Sequence, residues 1–259
     1  MPLYFTEFGE MNMTANTPIV NAGLKYVNGL EIAKTAAKTL SMAAGAARDS
    51  TDTNDIILDA SVTINGAAVG ANGVDVAALA ASSMYAVYVI GDSTKYQDTA
   101  GLLSLASAAT PNIPGGYDMY RRVGWVLTDG SSNILQFWQF GHGQERIYYY
   151  DVGISELSGG SSATFAAVDL ATSVPPIATD VLLDVTYTPN GATDVAEFLP
   201  FGSSATSGMI RFGYGVAGAQ VGMATVPCRL DSGVPKIQYK VTSGDTLTLL
   251  VCGFKDLMS

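Results

Sequence analysis

Short runs of apolar, β-branched and aromatic residues, broken by turn residues every ten positions or so, dominate this chain. MYAVYVI at 84–90, RRVGWVL at 121–127, NILQFWQF at 133–140 and RIYYYDV at 146–152 carry the residue types that fit a pleated, half-buried surface. Asn28-Gly29 stands between LKYV and LEIA, Asn65-Gly66 between SVTI and AAVG, and Asp129-Gly130 between GWVLT and SSNILQFWQF. Each has the turn-and-flank pattern expected of a β-hairpin, because Asn, Asp and Gly tolerate the positive φ of tight turns. Further strands are expected from ATFAAVDL, DVLLDVTY, VAEFLPF, GMIRFGY, QVGMATVPC, KIQYKV and DTLTLLVCGF, with no helix longer than about two turns needed among them.

Two segments are less regular. Glu31 to Ala47, EIAKTAAKTLSMAAGAA, is alanine-rich enough to propagate a helix. Thr35, Thr39 and Ser41 interrupt it and TLSMAAG alternates, which favours two short strands. GISELSGGSSA at 153–163 has the Gly/Ser character of a connector. The expected architecture is therefore all-β: an extended N-terminal arm over 1–22, a hairpin-rich antiparallel β domain over 23–152, a Gly/Ser connector over 153–163, and a β-sandwich or jelly-roll-like domain over 164–259.

Composition adds a constraint on the surface. Only 14% of the 259 residues are charged and 48% are hydrophobic, so either Ser, Thr, Asn and Gly cover the outside or part of it is an interface with other chains. The net charge is -10, with 13 acidic and 8 basic residues in 1–150 and 10 and 5 in 151–259. Neither half offers the Lys/Arg stripe that neutralises phosphates, Arg121-Arg122 being the densest pairing, so a nucleic-acid partner is disfavoured. Met1 to Phe8 lacks the basic-then-apolar pattern of a secretory signal, and the apolar stretch Val76 to Ile90 is short of the ~20 residues that span a bilayer. A soluble protein without membrane insertion is expected. Cys228 and Cys252 could form one disulfide, but both lie in apolar strand-like stretches where a free thiol behaves as a small hydrophobe, which favours free thiols.

The search for chemistry yields no coherent active site, cofactor site or metal site. His142 is the single histidine, set between glycines in QFGHGQER, and one imidazole builds neither a multi-histidine metal site nor, without a nucleophile elbow, a recognisable triad. Gly213, Gly215 and Gly218 spell GxGxxG with Asp231 downstream, yet the following AQVGMATVPC reads as a strand where a dinucleotide site needs a helix. Asp49, Asp52, Asp55 and Asp59 supply oxygen ligands of the kind calcium takes but lack the glycine and terminal glutamate of an EF-hand loop. Glu145, Glu156 and Glu197 are the better candidates for paired carboxylates, and their separation is not legible in sequence. Aromatic residues offer more. Trp125, Trp138, Tyr148, Tyr149 and Tyr150, with Phe137 and Phe140, cluster along the chain, and strand alternation sends Trp138 and Phe140 to one side and Phe137 to the other. One set is expected in the core; the other is a candidate protein interface or glycan-stacking platform.

Three stretches, AAGAARDSTDTNDIIL, INGAAVGANGVDVAALAASSMYAVYVIGDST and PNIPGGYDMYRRVGWVLTDGSSNILQF, make residues 43–142 resemble a segment of tailed-bacteriophage and prophage fibre-type structural proteins. The resemblance implies a virion component made in the host cytoplasm, often a homotrimer, with no catalytic residues and no cofactor. It places the chain in a tail appendage or a capsid decoration, attached to other virion proteins through the arm. The chain lacks the long repetitive shaft of a full-length fibre, so a compact accessory protein fits better. A host-surface glycan-binding module is the alternative expectation.

Overall fold

The structure, a computed structural model, describes residues 25–105, 110–141, 143–213 and 218–257. The arm expected over 1–22 and His142 lie outside the described residues. Among the described residues every regular element is a β-strand, so the all-β expectation holds, and no helix is long and apolar enough to cross a membrane.

Six short strands come first: β1 (Val27–Gly29), β2 (Ile32–Ala36), β3 (Thr39–Met42), β4 (Gly45–Arg48), β5 (Asp55–Leu58) and β6 (Val62–Asn65). They sort into two antiparallel sheets of order β1-β4-β5 and β2-β3-β6. The alanine-rich segment thus forms strands, and three of them rather than two. Leu40 and Met42 are fully buried while Thr39 and Ser41 face outward, so period-two burial overrides helix propensity. Asn28-Gly29 does not close a hairpin between β1 and β2, which belong to different sheets. Gly29 instead pairs with Gly45, and a Cβ on Gly29 would press on the Ala44 carbonyl oxygen; the glycine serves a close approach of two backbones. Asn65-Gly66 is a turn closed by Asn65 Oδ1 accepting the Ala67 N–H, again without a hairpin partner.

β7 (Gly73–Val74), β8 (Met84–Asp92), β9 (Lys95–Leu105) and β10 (Met119–Leu127) form a sheet of order β10-β8-β9-β7. β8 is buried along its whole length, which explains why MYAVYVI reads as a continuous apolar run. After β10, Asp129-Gly130 does turn the chain back: Thr128 bridges Ile134, and the Asp129 carboxylate accepts the Ser131 and Asn133 N–H groups.

β11 (Phe137–Phe140) and β12 (Glu145–Gly160) then start a second region completed by β13 (Ala166–Asp169), β14 (Ala178–Thr188), β15 (Ala196–Pro200), β16 (Ile210–Phe212), β17 (Gln220–Pro227), β18 (Arg229–Asp231), β19 (Val234–Val241) and β20 (Thr246–Leu257). Two five-stranded sheets result. One has the order β11-β12-β20-β14-β17; the other has the order β13-β19-β15-β16, with β18 also paired to β19. From β12 onward the chain crosses between them repeatedly: β12, β14, β17 and β20 lie in the first, β13, β15, β16, β18 and β19 in the second. Burial alternates along β19 and β20, giving each sheet one covered face, and Leu183, Val185 and Leu249 of one join Phe198 and Ile237 of the other in a continuous core. The arrangement is sandwich-like.

The Gly/Ser stretch at 153–163 is not a connector through most of its length. Residues up to Gly160 are strand, paired to β20 with register shifts at Tyr149/Ile154, Ser155/Leu157 and Leu157/Gly160. Gly159 takes φ +65, so the small residues accommodate the bulges that bend a sixteen-residue strand rather than a flexible link. β12 ties the two regions together, and β10 reaches the same sheet through side chains: Arg122 pairs with the buried Asp256 of β20, and the Trp125 indole N–H donates to the same carboxylate at 2.8 Å.

Candidate functional site

The aromatic run divides by strand face. Trp125 is 4% exposed, with its indole bonded to Asp256 and the Arg122 guanidinium 4.9 Å above its ring. Tyr148 stacks on Phe254 with centroids 4.6 Å apart and accepts the Gln139 amide N–H at 2.7 Å. Tyr150 donates its hydroxyl to the Ser173 carbonyl at 2.7 Å. Burial raises the hydroxyl pKa of both tyrosines. These three are core residues, which removes them as interface or glycan-stacking candidates. Trp138 and Tyr149 are exposed at 46% and 36%, and face each other directly across the β11–β12 ladder. Phe140, 55% exposed, meets the Tyr149 ring edge-on at 5.9 Å. Trp138 and Phe140 sit on the edge strand β11 and Tyr149 on its neighbour β12, all three on one face of the sheet.

Beside this face lies a groove of about 590 Å³ between the β2–β3 hairpin and β11. Trp138, Gln136, Glu31, Lys34, Ser41 and Ser61 are among its lining residues. Gln139, next to Trp138, is held in place: its Oε1 accepts the Ile32 N–H at 2.9 Å, and its Nε2 donates to Tyr148 and to the Val123 carbonyl at 3.3 Å. That amide fastens β11 to β2 and fixes where the indole stands. Glu31 lies 3.6 Å from the buried Arg146, whose other bonds go to the Gly29 and Gly141 carbonyls. The strand alternation of 137–140 was legible in the sequence; the approach of Lys34 and Glu31 to Trp138 was not, because no local pattern joins them.

Other candidates are committed elsewhere. In the acidic loop, Asp49 accepts the Thr53 N–H at 2.8 Å and the Thr51 hydroxyl, Asp52 pairs with Arg121 at 2.8 Å, and Asp55 faces Arg48 at 3.4 Å. Arg121 also donates to the Arg48 and Asp49 carbonyls. The Arg121-Arg122 pair therefore braces the fold from both sides. Among the described residues no group of three or more His, Cys, Asp or Glu side chains is placed to hold a metal ion. Glu145 begins β12 on the surface, Glu156 accepts the Ser173 hydroxyl, and Glu197 is clamped by Arg211 at 2.7 Å and Lys240 at 2.6 Å. Burial raises the Glu156 carboxyl. At Glu197 burial acts upward too, but the two cations outweigh it and hold the carboxyl below its ordinary value. Of the glycine motif, Gly215 lies outside the described residues, Gly213 packs against Tyr187, and the segment that follows is strand β17. Cys228 and Cys252 are free thiols, and burial pushes Cys228 up to about 12.

No protein-family model, no curated protein and no solved structure matches the chain.

Proposed function

We propose that this chain is a non-enzymatic structural component of a bacteriophage particle, a compact accessory protein of the tail or capsid surface that assembles as a homotrimer. The observation that carries the reading is the strand order of the second region. Two sheets, of order β11-β12-β20-β14-β17 and β13-β19-β15-β16, built by a chain that keeps crossing between them, support a jelly-roll reading. The jelly-roll plan recurs in viral capsid and lectin domains. The resemblance of residues 43–142 to fibre-type virion proteins points the same way. Two of the carboxylates that would serve a hydrolase, Glu156 and Glu197, are tied into a hydroxyl bond and ion pairs, which favours a scaffold over a catalyst. Exposed Val221 and Met223 on the outer strand β17 are consistent with contact between copies.

The test is protein identification by mass spectrometry in purified particles from cells carrying the gene in its phage genome, together with sedimentation of the recombinant chain. Copies in the particle and a trimer in solution are expected. A monomer at micromolar concentration that stays in the lysate when particles are purified overturns the reading.

A second reading, a module that recognises host-surface glycan, is favoured by the exposed Trp138 beside a groove of mixed polar and apolar lining.

A further inference from the structure

Sugar recognition needs an exposed flat ring for the apolar C–H face of a pyranose and, beside it, groups that both donate and accept hydrogen bonds. The Trp138 groove supplies both. Its ring is almost half exposed on an edge strand, and Gln136 and Lys34 offer donors while Glu31 offers acceptors. An apolar ligand has no use for this mixed lining, and a protein interface core is typically depleted of charge. Position adds to the case. The Gln139 amide, with both of its ends bonded, holds β11 against β2, so little ordering remains to be done when a ligand arrives.

Charge narrows the ligand further. The chain carries -10 overall, a field that repels polyanions such as uronate or sialate polymers. The Glu31 carboxylate is offset by the Arg146 guanidinium 3.6 Å away and the Lys34 ammonium by the nearby Asp129 carboxylate, so the site has little net attraction for either sign. We propose that the groove between the β2–β3 hairpin and β11 binds a neutral hexopyranose unit of a bacterial surface polysaccharide, stacked on Trp138 with its hydroxyls held by Gln136, Glu31 and Lys34. The inference rests on the glycan-recognition reading and names its site and sugar class.

The test uses the full chain on an array of immobilised bacterial polysaccharides, neutral hexose polymers beside polyuronate and polysialate, followed by titration of each polymer that is retained. Retention by a neutral polymer is expected, with Trp138→Ala weakening it by about tenfold or more, the loss of roughly one good aromatic contact. Trp138→Tyr, which keeps a ring, should retain an intermediate affinity, and both variants should melt with the parent. Because Trp125 is buried and Trp138 exposed, saturating polymer should also protect the chain's tryptophan emission from acrylamide. Retention unchanged in Trp138→Ala refutes this site while leaving glycan recognition standing. No retention on any polymer refutes both, and retention on the anionic polymers alone refutes the neutral class. Should Trp138→Ala melt early, Gln136→Ala decides: unchanged affinity there counts against the groove.

Discussion

Trp138 lies directly opposite Tyr149 on the exposed face of the β11–β12 ladder, while Phe137 and Tyr150, the neighbouring pair in the register, meet on the buried face. Adjacent positions of one strand therefore carry opposite energetic weights. Truncating Trp138 or Tyr149 to Ala should change the unfolding free energy by less than about 1 kcal/mol, as exposed substitutions usually do. Phe137→Ala should cost about 3–5 kcal/mol. Urea unfolding of the single variants checks the contrast, and equal effects on both faces would contradict the assigned register.

Asp256 is fully buried and is shared by the Arg122 guanidinium and the Trp125 indole. Asp256→Ala leaves a buried cation without its counter-ion and should destabilise by about 3–5 kcal/mol. Replacing both members of the pair, Arg122→Met with Asp256→Leu, should recover part of that loss, since an apolar pair escapes the desolvation penalty. A double variant no more stable than the single one would show that the carboxylate acts mainly through Trp125.

Glu197 gives the fold an acid-sensitive clamp. Its carboxyl is held below the ordinary value of 4.5, so the folded state binds a proton less readily than the unfolded chain. The stabilisation is complete above pH 4.5 and is lost as the pH falls through the depressed folded value. Glu197→Gln should lower the melting temperature at pH 7, and the difference from the parent should shrink below pH 4.5. Melting curves at several pH values test this, and a gap that widens in acid would reverse the assigned direction.

If residues 153–160 are a bulged strand, their amides should exchange as slowly as those of β20, apart from the bulge positions. Hydrogen exchange read by mass spectrometry distinguishes this from a connector, which would exchange fast throughout.

The sequence made the later strands legible for a simple reason: KIQYKV and DTLTLLVCGF alternate, and alternation is a local property. Gly29 and the 153–163 stretch misled for the complementary reason. A glycine that lets two distant strands approach, or relieves a bulge, has the same local signature as one in a turn or a linker. RIYYYDV announced which tyrosines share a face without saying which face is covered, since that depends on Phe254 far along the chain. The groove is the extreme case, assembled from Lys34 and Trp138 with no pattern between them.

β20 occupies an interior position in its sheet, between β12 and β14, yet it is the last of the described strands to be synthesised. Until it emerges, Arg122 and Trp125 lack the Asp256 carboxylate they share, β12 and β14 have no shared neighbour, and the sandwich stays open. Closure of this region thus waits for β20, and a chain cut short before residue 246 would present two unpaired strand edges to its surroundings. The strand that seals the sandwich is therefore also the one whose loss exposes most of its hydrogen-bonding edge.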